Sequence, residues 1–232
     1  MTDSRATFRP VRSYVLREGR LTKGQRRALD ELLPRYRITA PATGDAPLDL
    51  RETFARVAPT HLEIGFGDGD ALVQCARQNP NDNFIGAEVH RPGVGRLLLQ
   101  LQAHDLDNVR VFCGDAVELL TTAIANDSLA SIHLYFPDPW PKKKHHKRRI
   151  VQPPFINLVA DKLIPTGTFH FATDWRPYAE QALELLQQSP RLQNQSGARQ
   201  FTRNRPRPTT KFERRGRRLG HEVWDFVVEK VG

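Results

Sequence analysis

The sequence predicts an α/β fold built on a parallel sheet, and three observations carry that prediction. From residue 60 onward, short apolar runs alternate with stretches of helical period. The first of these runs leads into a glycine turn, EIGFGDG, residues 63–69. Four successive runs end at or near an acid: Glu63, Glu88, Asp115 and Asp138. In an open α/β sheet ligands sit beyond the carboxyl ends of the strands, so these acids mark where the chemistry belongs.

Residues 1–59 read as a basic N-terminal arm with one short helix in LTKGQRRALDELL (21–33). Thr22 is its N-cap, Ala28, Leu29, Leu32 and Leu33 share a face, and Pro34 ends it. Residues 39–50 form a loop. The main domain spans 60–232, with strands at 61–64, 83–89, 109–112, 131–136 and 168–173. Between them helices fall near 70–78, 92–104, 116–125, 153–163 and 176–188. Residues 190–220 are polar, basic and proline-containing, an excursion before a last alternating strand at 222–231.

At 232 residues and 39% hydrophobic, the chain is long enough for one large α/β domain plus an arm. Cys75 and Cys113 lie in apolar stretches and read as reduced core thiols. No apolar stretch approaches the roughly 20 residues of a membrane span. The first residues lack the apolar core of a signal peptide. A cytoplasmic protein is expected.

The net charge of +9 is segregated. Residues 61–141 carry 4 Lys/Arg against 11 Asp/Glu, 142–149 carry 6 against none, and 191–220 carry 10 against 1. A merely solvated surface would mix the signs, so the pattern favours a polyanion along one face, with nucleic acid the expected partner.

Charge also chooses between cofactors. The pyrophosphate of a dinucleotide would meet Asp68 and Asp70 in the glycine turn, and the spacing GxGxxG is absent. S-adenosylmethionine brings a sulfonium and an ammonium but no phosphate, and suits an acidic pocket. Gly65 and Gly67 would let the backbone approach it closely.

Asp138 stands between Pro137 and Pro139, which stiffen its backbone, on the rim between that pocket and the cationic run. Trp140 offers a face for stacking a base, or packs as an edge aromatic. His145 and His146 lack metal-ligand spacing and suit phosphate better; no metal is expected.

LEIGFGDG, FIGAEVHRPG, PDPWPKKKHHKRR, ATDW and TKFERRG together resemble the bacterial tRNA (guanine-N7-)-methyltransferases, from about residue 12 to 226. The resemblance implies a class I methyltransferase (Rossmann-like), doubly wound fold, with a mostly parallel seven-stranded sheet and an antiparallel last strand. It implies S-adenosylmethionine-dependent methylation of N7 of the variable-loop guanine, position 46, in tRNA. By the same resemblance Glu63, Glu88, Asp115 and Asp138 contact the cofactor, and Asp138 is also catalytic. Lys142, Asp174, Thr210, Lys211, Phe212 and Glu213 face the substrate, and Lys144, His145, His146, Lys147, Arg148 and Arg149 contact the RNA.

Asp174 also reads as a cap after its strand, and Glu213 as a surface partner of Arg214 or Arg215. A non-catalytic RNA-binding protein, or a methyltransferase acting on another base, stays open as an alternative, with a monomer or a homodimer equally compatible.

Overall fold

In the computed structural model, which describes residues 13–15, 19–42, 44–202 and 207–231, seven strands form one sheet in the order β3-β2-β1-β4-β5-β7-β6. The strands are β1 (Thr60–Ile64), β2 (Asn83–Glu88), β3 (Val109–Cys113), β4 (Leu129–Tyr135), β5 (Leu163–Thr173), β6 (Leu192–Asn194) and β7 (Trp224–Lys230). The first five pair in parallel, and β7 runs antiparallel to both of its neighbours. In chain order the sheet begins at β1, third in the row, winds out to β3 at one edge, then returns across β1 to β4 at the centre. That reversal opens a crevice at the carboxyl ends of β1 and β4.

Helices α1 (Lys23–Glu31), α2 (Leu33–Tyr36), α3 (Leu50–Phe54), α4 (Asp70–Gln78), α5 (Arg91–Ala103), α6 (Ala116–Thr122), α7 (Pro153–Lys162), α8 (Arg176–Gln187) and α9 (Lys211–Arg218) complete the described fold, with a 3-10 helix over Lys143–Arg148. Every strand and helix expected from residue 60 to 189 is present.

Two apolar clusters hold the layers. Leu62, Ile64, Ile132, Leu134, Phe169, Phe171, Phe226 and Val228 meet Phe155, Ile156, Tyr178 and Leu183 of α7 and α8. Phe84, Val109 and Val111 meet Leu72 and Val73 of α4, Leu97, Leu98 and Leu101 of α5, and Ala28 and Leu29 of α1. The helix of the N-terminal segment is therefore part of the packed core. Thr22 and Gln25 form a reciprocal capping box at its start.

Pro34 does not simply end that helix. It sits in the first turn of α2, where its missing N–H has no intrahelical partner to lose. The excursion at 190–220 holds two elements that sequence pattern did not expose. The three residues of β6 are too few for a clear alternation, and α9 is strongly basic with little apolar signal. Residues 1–12 of the arm and 203–206 of the excursion lie outside the described residues.

Beside the second apolar cluster, polar side chains on β1, β4, β5 and β7 link across the sheet. His61 Nδ1 lies 2.8 Å from Ser131 Oγ, which lies 2.9 Å from His133 Nε2. Tyr135 Oη reaches His170 Nδ1 at 3.3 Å, and His170 Nε2 reaches Asp225 Oδ1 at 3.0 Å. Burial, with His170 and His61 beside it, pushes His133 down to about 3, so it is neutral at physiological pH.

Candidate active site

The glycine turn follows β1 because Gly65, Gly67 and Gly69 take φ of 70°, 58° and 81°, which L side chains rarely adopt. Its shape depends on a second glycine contact. A Cβ on Gly93, near the start of α5, would meet the Gly67 carbonyl oxygen at 2.2 Å. Glu88, at the end of β2, braces the same turn. Its Oε2 accepts from Gly67 N at 2.9 Å, and its Oε1 from Val89 N and His90 N at 2.8 and 2.9 Å.

Next to this turn lies a cleft of about 240 Å³, lined by Glu63, Gly65, Gly67, Asp68, His90, Tyr135, Thr210, Lys211 and Phe212 among others. Glu63 is buried, and among the described residues its carboxylate receives no hydrogen bond. Burial, then the neighbouring Glu88, pushes its carboxyl up to about 8, with Arg207 opposing. A carboxyl held in this way gains from a ligand that brings positive charge, and a pyrophosphate would face two further acids, Asp68 and Asp70. The donor set therefore fits S-adenosylmethionine in chemical type.

The predicted site residues do not all converge. Glu63, Gly65, Gly67, Thr210, Lys211 and Phe212 share the cleft wall, and Glu88 lies behind the turn. Asp115 caps α6, accepting from Val117 N at 2.9 Å. Asp138 is exposed on the loop that leaves β4 just beyond Tyr135. That loop starts and ends in left-handed backbone, Phe136 at φ 52° and Trp140 at φ 44°, which bulky residues adopt only under constraint. Asp174 pairs with His221 Nδ1 at 3.3 Å and lies where a side chain on Gly216 of α9 would press on it.

The cationic run divides by exposure. Lys142, Lys143, Lys144 and Lys147 are exposed, and His145 and His146 are half-buried. Arg148 lies over the Trp140 ring at 3.8 Å and donates to Tyr14 O. Trp140 donates Nε1 to Ser13 O at 3.1 Å, with the His145 ring at its edge. The indole is thus packed against its own chain.

Arg149 departs from its expected RNA contact. It is 2% exposed, donates Nε to Pro139 O at 2.9 Å and Nη1 to Gln181 Oε1, and covers the Tyr178 ring. A guanidinium placed there supports the loop from beneath and presents no charge to a phosphate.

Glu213 differs as well. It is 1% exposed, and neither Arg214 nor Arg215 is its partner in this arrangement: Arg207 donates Nη1 to its Oε2 at 2.6 Å. Its carboxylate is turned away from the solvent that a guanine edge would have to approach through. Thr210 Oγ1 accepts from Glu213 N at 3.1 Å, a helix N-cap. The signature Thr-x-x-Glu at 210–213 was a visible sign of a helix start. Arg207 itself left no such sign among its basic neighbours. Cys113 also differs from expectation, since it is exposed at the end of β3, whereas Cys75 is partly buried.

A family model described as "Putative methyltransferase" matches residues 57–226. A tRNA (guanine-N(7)-)-methyltransferase of Alkalilimnicola ehrlichii is 51% identical over 98% of this chain and 96% of its own length. One from Thiobacillus denitrificans is 53% identical over 95% of each chain. The chain belongs to the tRNA (guanine-N(7)-)-methyltransferase family. Among solved structures, the 16S rRNA methyltransferase KamB superposes with a TM-score of 0.55 at 15% identity, over 81% of this chain and 96% of that one. An antibiotic-related methyltransferase gives 0.52 at 19%, over 82% and 98%. At such identities the likeness shows the fold alone, that of class I methyltransferases.

Membership in the methyltransferase family is consistent with the acid-lined cleft at the β1–β4 crevice. Among the described residues no group of His, Cys, Asp and Glu could hold a metal ion, and no helix is long and apolar enough to cross a membrane.

Proposed function

We propose that this protein transfers the methyl group of S-adenosylmethionine to N7 of the variable-loop guanine, position 46, of tRNA. The observation that carries the proposal is the near-complete alignment, at about half identity, with proteins named for that reaction.

Glu63, Gly65, Gly67 and Glu88 would hold the cofactor at the glycine turn, with Asp115 at the rim of the same strand ends. When bound, that group supplies a methyl on a positively charged sulfur. Guanine N7 carries a free lone pair and no proton, so the chain needs no general base. Its task is orientation and charge. The product purine is cationic, and a carboxylate held stiffly at Asp138 stabilises the positive charge as it grows on the ring. Lys142, Lys143, Lys144 and Lys147, with His145 and His146, offer exposed or half-exposed partners for phosphates. Lys211 and Phe212, at the start of α9, face the cleft, and Thr210 fixes that helix start. Glu213 anchors the helix from below. Methylation of tRNA would place the protein in the cytoplasm.

The test is transfer of labelled methyl to unmodified tRNA, followed by chain cleavage at N7-methylguanine. Label at one variable-loop guanine is expected. Label at another base, or none, overturns the proposal.

A further inference from the structure

Two kinds of contact hold α9 over the glycine turn. On its outer side Lys211 Nζ lies 2.7 Å from Asp68 Oδ2 and Arg214 Nη2 3.6 Å from Asp70 Oδ2. The two cations are about half or more exposed, and such pairs hold weakly. Beneath the helix the arrangement is different. The Arg207 side chain is 1% exposed and bonds Glu213 on one side and Asp225 on the other, with Nη2 to Asp225 Oδ2 at 3.0 Å. Asp225 takes a further hydrogen bond from His170. The same guanidinium lies 5.3 Å from the ring centroids of both Tyr135 and Phe136. Tyr135 lines the cleft, and Phe136 carries the left-handed backbone two residues before Asp138.

We propose that Arg207 is a positioning residue for methyl transfer: it clamps α9 and the Tyr135–Phe136 approach to the Asp138 loop in one relative arrangement. This inference rests on reading the cleft as the methyl-transfer site. A planar fork serves two carboxylates and stacks on rings at once, which an ammonium cannot do. All three ions are buried, so loosening Arg207 from either carboxylate disturbs charges that are costly to shift. Misplacement of about 1 Å at a reacting centre lowers rates on the order of 10²-fold.

The experiment compares Arg207→Met, Glu213→Gln and the double variant by two readouts. Amide hydrogen exchange across 211–218, measured without cofactor or tRNA, should quicken in each variant while β1 and β4 keep wild-type protection. Single-turnover transfer at saturating tRNA and cofactor should slow by about 10- to 100-fold, and the double variant should be no slower than Arg207→Met alone. Val228→Ala, a core truncation on the same strand as Asp225, controls for general destabilisation and should stay within about twofold of wild type. Arg207→Lys should restore little.

Unchanged exchange at 211–218, losses that multiply in the double variant, or equal slowing by Val228→Ala would each overturn the clamp. If Arg207→Met does not fold, Glu213→Gln carries both readouts, because it leaves the Arg207–Asp225 pair in place. A wild-type protein inactive on tRNA whose variants still loosen α9 refutes the proposed reaction and leaves the clamp standing. An active wild type with unaltered exchange in the variants refutes the clamp alone.

Discussion

If S-adenosylmethionine binds beside Glu63, binding must expel a proton. Burial and Glu88 hold the carboxyl at about 8, so at pH 7 about nine-tenths of the empty sites carry a proton there. A cationic ligand favours the carboxylate. Binding at pH 7 should then release about 0.9 proton, falling to about 0.5 at pH 8. Ionising the group one unit below its pKa costs about 1.4 kcal/mol, so affinity at pH 7 should be about tenfold weaker than at pH 9.

The stability of the empty protein should run the other way. The folded state holds a proton that the unfolded chain loses near the ordinary value of 4.5, so stability falls as pH rises from there through about 8. Titration calorimetry in buffers of different ionisation enthalpy counts the released proton. Glu63→Gln should bind more weakly and release almost none. Wild-type release below about 0.2 proton at pH 7, or the same release from Glu63→Gln, would refute the reasoning.

Asp138→Ala should slow single-turnover transfer on the order of 10²–10³-fold while tRNA affinity changes only a few-fold, which single-turnover and filter-binding assays separate. Replacing Lys142, Lys143, Lys144 and Lys147 with Ala should make the log–log salt dependence of tRNA binding shallower by up to about three units. Arg149→Ala should leave that slope unchanged and lower stability by about 2–4 kcal/mol in denaturant titration, because it strips buried hydrogen bonds from Pro139 O and Gln181. Gly93→Ala should weaken cofactor binding and destabilise by about 1–3 kcal/mol, since its methyl would press on the Gly67 carbonyl; calorimetry and thermal unfolding read both.

The residue pattern set the alternation of strands and helices from residue 60 to 189, because burial on both faces of a parallel sheet leaves continuous apolar runs that helical periods interrupt. It determined the glycine turn, the acids at the strand ends and the cationic loop, since local backbone chemistry and charge are written residue by residue. It also held the N-cap of α9, Thr210 with Glu213 three residues later, although the basic surroundings masked it. Direction and partnership came only with the folded arrangement. Arg148 and Arg149 are neighbours of one type, yet one stacks on Trp140 and the other is buried under Pro139. Glu213 found a buried arginine six residues before it and, through that arginine, Asp225 on β7. Composition can count such charges, but desolvation and geometry decide which of them meet phosphate and which hold the fold together, and both depend on segments far apart in the chain.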